Sequence, residues 1–159
     1  MLAAVSIETE PAMFKHILIP TDGSPVAAKA IHAGVALAKE MGATVTGYYA
    51  QEPLPAHLYG EGYIADKKLV AELERRSREY AERCVAEIGA TAKAAGVPFE
   101  PVVANAPVPY KGIIDAADKR KCDAIFIASN GHRGLTSLLL GSVTQKVLTH
   151  STIPVLVFR

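Results

Sequence analysis

The chain has 159 residues, of which 50% are apolar and 21% charged, and its 17 basic and 16 acidic side chains give a formal net charge of +1. This composition is that of one globular domain, and it excludes a disordered, collagen-like or disulfide-stapled chain. The near-zero charge indicates neither nucleic acid nor a membrane as a partner, and no apolar run approaches the ~20 residues of a membrane span. The two cysteines, Cys84 and Cys122, predict buried thiols in a reducing, cytoplasmic setting.

The first half of the chain predicts a strand, a helix and a second strand. Residues 1–13 lack a basic, signal-like start and are expected to form a flexible extension before a domain over residues 14–159. His16 to Pro20 predicts a buried strand, and Ser24 followed by Pro25 predicts the start of a helix that ends at Gly42. Its predicted inner positions are Ala28, Ile31, Val35 and Ala38. A strand over Thr44 to Ala50 is followed by a long loop rich in proline and glycine.

The second half continues the alternation with a long helix predicted from near Ala65 to Ala95. Its outer charges indicate a solvated face with pairs four residues apart. Its predicted inner stripe is Leu69, Leu73, Tyr80, Cys84, Ile88 and Ala92. Prolines mark the third strand as a sheet edge, since they cannot donate ladder hydrogen bonds. The remaining predicted elements are a strand over Phe99 to Ala104, a helix opened by Pro109, a buried strand over Asp123 to Ala128, a helix over Val143 to Thr149 and a strand over Pro154 to Phe158.

Short apolar strands that alternate with helices predict a parallel sheet covered on both faces, an open doubly wound α/β fold with three layers. Ligands bind such sheets at the carboxyl ends of the strands, where the strand order reverses. The first and fourth strands end in the two most polar glycine loops, Thr21 to Gly23 and Ser129 to Gly134. We therefore expect these two strands to be neighbours that flank the switch point.

Two segments near the end of the chain predict an anion site. The loop Ser129 to Gly134 combines Gly131 and Gly134 with His132 and Arg133, and glycines allow backbone N–H groups to face a ligand. The segment Gly141 to Thr144 opens a helix, whose free N–H groups and positive dipole end attract phosphate, and the Ser142 and Thr144 hydroxyls add donors. The alternative is structural, because α/β loops need glycines and helices need serine caps.

Asp22 leaves a similar choice open between ligand contact and an Asx turn that shapes the loop. The ligand interpretation is favoured because Ser24 is already available as the helix cap. Several kinds of site are not predicted: the chain has no phosphate-loop lysine motif, no dinucleotide glycine motif, no pair of histidines at metal-ligand spacing and no nucleophile–base pair. No catalytic residue is therefore assigned.

The two ends of the chain carry motifs that resemble the universal stress protein family, in its single-domain, nucleotide-binding form. The segment Ile17 to Ser24 is similar to the opening signature of the family. The nucleotide-binding branch carries G-x2-G-x9-G-[ST], and Gly131, the nine residues 132–140 and Gly141–Ser142 match its second half. The chain departs from the motif at Ala128, where the first glycine stands, and at Asn130, where a histidine is common.

The resemblance implies a parallel sheet of five strands in the order 3-2-1-4-5 and a cofactor, ATP, ADP or AMP, with or without Mg²⁺. It places Pro20, Thr21 and Asp22 near the adenosine and the backbone of Ala50, just after the second strand, against adenine. The ribose and phosphates would lie against two loops, made up of Ala128, Asn130, Gly131, His132, Arg133 and Gly134 and of Gly141, Ser142, Val143 and Thr144. It also implies a homodimer through Pro154–Phe158.

The function expected from the resemblance is that of a stress-response sensor or adaptor with slow or no ATP hydrolysis. The alternative is a nucleotide-free, dimeric interaction module of the same fold. A third class, an enzyme of the related ATP-pyrophosphatase group, would need an S-G-G-x-D-S loop, which Thr21 to Ser24 does not supply.

Overall fold

The computed structural model describes residues 12–55, 58, 67–131 and 139–159. Five strands alternate with four helices in this part of the chain. The strands are β1 (His16–Pro20), β2 (Thr44–Gln51), β3 (Phe99–Asn105), β4 (Ala124–Ala128) and β5 (Val155–Phe158), and the helices are α1 (Pro25–Met41), α2 (Lys67–Ala95), α3 (Pro109–Lys119) and α4 (Ser142–His150). None of these helices is both long and apolar enough to cross a bilayer.

The strands form one parallel sheet in the order β3-β2-β1-β4-β5, which confirms the predicted fold. β1 and β4 are central neighbours, with Ile17 opposite Ala124 and Leu18 opposite Ile125. The proline-marked β3 lies at one edge, as predicted. β5, at the other edge, begins one residue later than predicted, although the carbonyl of Pro154 still accepts a hydrogen bond from the Ile125 N–H at 2.9 Å.

Alternating side chains of the central strands fill a core on each face of the sheet. Ile17, Ile19 and Phe126 pack with α1 and the second half of α2. Leu18, Ile125 and Ile127 pack on the opposite face with α3 and α4. Both predicted thiols, Cys84 and Cys122, are buried and free of disulfides. The sheet is therefore covered on both faces, and the polar loops that follow β1 and β4 lie at its carboxyl edge.

The ends of α1 confirm the sequence prediction. Ser24 Oγ accepts the Ala27 N–H at 3.2 Å, Pro25 occupies the first turn, and Gly42 ends the helix with a φ of 62°, a left-handed conformation that glycine adopts without strain. The prediction that Ala28 faces inward is wrong, because Ala28 is exposed. The buried face begins one residue earlier and consists of Ala27, Ala30, Ile31, Gly34, Val35 and Ala38.

The predicted inner stripe of α2 is wrong over its first half. Leu69 is 54% exposed and Tyr80 is 37% exposed, whereas the buried residues begin at Ala81. A helix of 29 residues is about 43 Å long, far more than a strand of eight residues needs, so its first half extends past the sheet. The predicted start, Ala65, lies outside the described residues. The outer face carries the expected ion pairs, among them Arg76–Glu72 at 2.7 Å and Arg78–Glu82 at 3.1 Å.

This division of α2 predicts unequal effects of two alanine substitutions on the free energy of unfolding. Ile88→Ala leaves a cavity in the core beneath the second half and is expected to cost about 2–5 kcal/mol. Leu69→Ala removes an exposed side chain and is expected to change stability by less than about 0.5 kcal/mol. Urea unfolding of both variants measures the difference, and equal losses would contradict the described packing of α2.

Candidate functional site

A cavity of about 670 Å³ opens at the carboxyl ends of β1, β2 and β4, beside the first turns of α3 and α4. This is the switch point, because the order reverses between the neighbouring strands β1 and β4. The volume is within the range of small-molecule sites, about 300–1,000 Å³. The fold thus places a site of ligand size where the sequence predicted one.

The cavity brings the predicted site residues together. His132, Arg133 and Gly134 lie outside the described residues, so their predicted place at the site stays a prediction. All the other predicted residues line the cavity: Pro20, Thr21, Asp22, Ala50, Ala128, Asn130, Gly131, Gly141, Ser142, Val143 and Thr144.

Asp22 combines the two alternatives that its sequence position left open. Its Oδ1 accepts the Ser24 N–H at 2.9 Å, which is an Asx turn, and the residue also lines the cavity. Thr21 Oγ1 accepts the Gly23 N–H at 3.1 Å, and Gly23 has a φ of 78° that favours glycine. Across the cavity a Cβ added to Gly131 would overlap Asp22 Oδ2. The two polar loops therefore meet at the Asp22 carboxylate.

Ala50 presents its backbone to the cavity. It lies within β2, as the strand predicted over Thr44 to Ala50 has it, and not just after the strand as the resemblance implied. The ladder between β1 and β2 ends where the Thr21 N–H donates to the Tyr48 carbonyl at 2.9 Å, while the Gln51 carbonyl faces β3 and accepts from Ala106 at 2.9 Å. Backbone groups alternate sides along a strand, so the N–H and C=O of Ala50 face the side of β1 beyond its end.

The start of α4 offers backbone donors to the same cavity. Gly141 is the N-cap, with φ −60° and ψ 148°, and among the described residues no side chain caps the helix. Ser142 is the first residue of the helix, so the structural alternative, in which this serine serves as the cap, does not apply. The Gly141 N–H donates to the Ser129 carbonyl at 2.8 Å, whereas the next N–H groups belong to the first turn, which has no intrahelical acceptors for them. The helix dipole adds positive potential at this end.

The Thr144 hydroxyl has a structural partner in this arrangement. It is buried and donates to the Ala128 carbonyl at 2.7 Å, which ties α4 to the end of β4. The Thr144 hydroxyl hydrogen is therefore already used in this bond. Of the two hydroxyl donors expected from the sequence, Ser142 is the one that does not make it. Thr144 contributes to the cavity through its place in the first turn of α4.

At the position of the first motif glycine, the methyl group of Ala128 packs into the core. Ala128 packs in the core on the α1 face, two residues after Phe126 and on the same side of β4. Phe126 points toward α1, since a Cβ added to Gly34 would lie 2.9 Å from its Cδ1. The Ala128 side chain therefore belongs to this core, while its backbone reaches the cavity.

The sequence prediction missed the β2 and α3 walls of the cavity. Tyr48 and Tyr49, which precede Ala50, and Glu52, which follows the strand, line the cavity from β2. Pro109 and Ile113 line it from α3. Burial raises the pKa of both tyrosines to about 12, assisted by Asp115 at Tyr48 and chiefly by Cys84 and Tyr80 at Tyr49. Both phenols are therefore neutral. The apolar alternation of β2 was the signal available for Tyr48, whereas no local pattern marks the predicted helix at Pro109 as a wall of the cavity.

The comparisons with known proteins agree with this fold. The sequence profile of the Universal stress protein family matches residues 13–159. A universal stress protein of Thermus aquaticus is 36% identical over 92% of this chain and 100% of its own length, and universal stress protein MJ0531 of Methanocaldococcus jannaschii is 32% identical over 92% and 83%. The chain belongs to the universal stress protein family.

Solved structures show the same architecture. Hypothetical protein MJ0577, from Methanocaldococcus jannaschii, superposes with a TM-score of 0.75 at 26% identity, over 91% of this chain and 95% of that one. A universal stress protein in complex with cAMP superposes with a TM-score of 0.62 at 23% identity, over 92% and 97%. The universal stress protein of Archaeoglobus fulgidus in complex with dAMP gives 0.60 at 19%, over 93% and 99%. The last two comparisons establish the shared fold.

Tyr48 generates a prediction about stability. Its hydroxyl is buried and has no hydrogen-bond partner among the described residues. Removing an unsatisfied hydroxyl while keeping the ring is expected to stabilise the protein, so Tyr48→Phe should raise the free energy of unfolding by about 1 kcal/mol. The control is Thr46→Val, which removes a buried hydroxyl bonded to His16 Nε2 at 2.7 Å and should destabilise the protein. Thermal unfolding measures both, and destabilisation by Tyr48→Phe would refute the assignment.

Proposed function

We propose that the protein binds an adenine nucleotide, ATP, ADP or AMP, with or without Mg²⁺, in the switch-point cavity. One observation carries the proposal: the backbone edge of Ala50 and the uncapped start of α4 open into the same cavity. The Ala50 edge suits a planar base that both donates and accepts hydrogen bonds, and the start of α4 suits a phosphate. A nucleotide combines these two chemistries in one molecule.

The base end of the proposed site is formed by β2 and α3. Adenine presents an amino donor beside a ring-nitrogen acceptor, which matches the C=O and N–H of one residue, Ala50. The apolar side chains of Pro109 and Ile113 face the same cavity and can cover the ring. Asp22, between the base end and Gly131, is positioned to accept hydrogen bonds from the adenosine.

The phosphate end of the proposed site is formed by Gly131 and by the first turn of α4. The first-turn N–H groups and the helix dipole stabilise negative charge, and the Ser142 hydroxyl adds a donor. Among the described lining residues, the charged ones are the carboxylates Asp22 and Glu52. We propose that His132, Arg133 and Gly134 complete this end. The cAMP and dAMP complexes of proteins with this fold support an adenine nucleotide as the ligand.

We propose that the nucleotide serves a sensor or adaptor role in a cytoplasmic stress response, with slow or no hydrolysis. The family membership supports the role, and the architecture of the cavity supports the ligand. The nucleotide-free module is the second candidate, and it differs from the first in one observable: the purified protein would bind no adenine nucleotide. Binding calorimetry therefore separates the two.

Gly131→Val is expected to abolish nucleotide binding while the fold is retained. The first carbon of the new side chain would overlap Asp22 Oδ2, and the branched methyls would occupy the space proposed for phosphate. Calorimetry with ATP and AMP measures the loss. The control is Ala28→Val, which adds bulk to the exposed face of α1 and should bind as the unaltered protein does. Unchanged affinity in a folded Gly131→Val protein would show that the phosphate loop is assigned wrongly.

We further propose that the protein is a homodimer through β5. This short apolar edge strand is half-buried at every residue, and no strand covers its outer side among the described residues. Unpaired backbone groups on an apolar edge favour pairing with a second copy, and a twofold axis closes such a pair.

Charges placed on this edge are expected to disrupt the dimer. Val155→Lys/Val157→Lys should sediment as a monomer at micromolar concentration, where the unaltered protein sediments as a dimer, because like charges from the two copies would meet at this edge. Both valines pack against the core beneath α3 and α4, so circular dichroism must show that the variant is folded before its sedimentation is interpreted. Leu69→Lys, on the exposed half of α2, is the control and should leave the dimer intact. A monomeric unaltered protein would contradict the dimer, and a dimeric double variant would place the interface elsewhere.

A further inference from the structure

A group of side chains packs against the Asp22 turn, and one of them, Tyr49, also lines the cavity. We define the Tyr80 brace as Tyr49, Tyr80 and Cys84. The Tyr49 and Tyr80 rings meet edge to face with their centroids 6.1 Å apart. The Cys84 thiol lies beside the Tyr80 hydroxyl, and its interaction with that hydroxyl raises the pKa of Tyr80. The Arg83 guanidinium lies 5.9 Å from the Tyr80 ring centre. These contacts hold a side chain that is partly exposed to solvent in one orientation.

The Tyr80 brace packs directly against Gly23 in the Asp22 turn. A Cβ added to Gly23 would overlap the Tyr80 hydroxyl oxygen and would lie 2.8 Å from the Cys84 sulfur. Gly23 is therefore required twice, by its φ of 78° and by this close approach. The Asp22 charge contributes to the raised pKa of Tyr80 and also to that of Cys84, which places it within electrostatic range of both.

The Asp22 turn thus has two close contacts. Gly131 leaves no room for a side chain beside Asp22 Oδ2, and the brace packs against Gly23, the next residue of the turn. The Asx bond from Ser24 fixes the carboxylate within the turn at 2.9 Å. Removing the brace would leave the turn without support on its α2 side, and the carboxylate could move away from the cavity.

We propose that Tyr80 is a positioning residue for nucleotide binding, which acts by packing against Gly23 and so holding the Asp22 turn and its carboxylate at the cavity. The inference rests on the proposed function, since it requires Asp22 to contact the nucleotide. Tyr80 itself touches no part of the cavity: it is absent from the residues that line it. It also lies where α2 leaves the sheet, so its loss removes little of the core.

The first test measures AMP affinity by calorimetry for the unaltered protein and for single variants. Tyr80→Ala is expected to weaken AMP binding about tenfold with a near-native melting temperature. Tyr80→Phe keeps the ring contact with Tyr49, so its AMP affinity should lie between those of the unaltered protein and Tyr80→Ala. Leu69→Ala on the same helix is the matched control and should bind normally. Unchanged affinity in Tyr80→Ala overturns the inference. Absence of AMP and ATP binding by the unaltered protein overturns the proposed function itself.

A double-mutant cycle separates positioning from a general weakening of the protein. Asp22→Asn keeps the acceptor of the turn and removes the carboxylate charge. If Tyr80 acts through this charge, the tenfold effect of Tyr80→Ala should shrink to less than about threefold in the Asp22→Asn background. An equal loss in both backgrounds would show that Tyr80 acts independently of Asp22 and would overturn the inference.

Discussion

The pairing of β1 with β4 is the constraint on which the rest of the structure depends. The chain returns from β3 at one edge to place β4 beside β1, and the strand order reverses there. Ile17 and Leu18 pair with Ala124 and Ile125 in a ladder whose side chains fill both cores. Because the connections leave these strands on opposite faces, their carboxyl ends separate and the cavity opens between them.

The proposed site consists largely of backbone groups. The Ala50 edge and the first turn of α4 supply donors and acceptors that every residue except proline provides, and the Thr144 hydroxyl secures α4 to β4. Neither departure from the family motif lies in these two segments. The Ala128 methyl belongs to the core on the α1 face, and Asn130 keeps polar groups on the cavity wall. Side chains then act on geometry, as the Tyr80 brace does at the Asp22 turn.

The sequence predicted the sheet, its edge strand, the caps of α1 and both polar loops, because these depend on local signals such as apolar runs, prolines and glycines. The predictions were wrong where the burial of a residue depends on the packing of distant segments. The apolar periodicity of α2 continues past the sheet, so Leu69 and Tyr80 have the spacing of core residues but remain exposed. The α3 wall and the contact between Gly131 and Asp22 join segments distant in the chain, and no local pattern marks them.

We propose that one ligand spans the Ala50 edge and the start of α4. An NMR titration of the isotopically labelled protein with AMP tests this arrangement most directly, because it reports on each backbone amide. The amide of Ala50 is expected to show saturable shifts together with the amides of Ser142, Val143 and Thr144, and the exposed first half of α2 is expected to show small shifts. Saturable binding that shifts only one of these two groups of amides, or neither of them, would contradict a ligand that spans both segments.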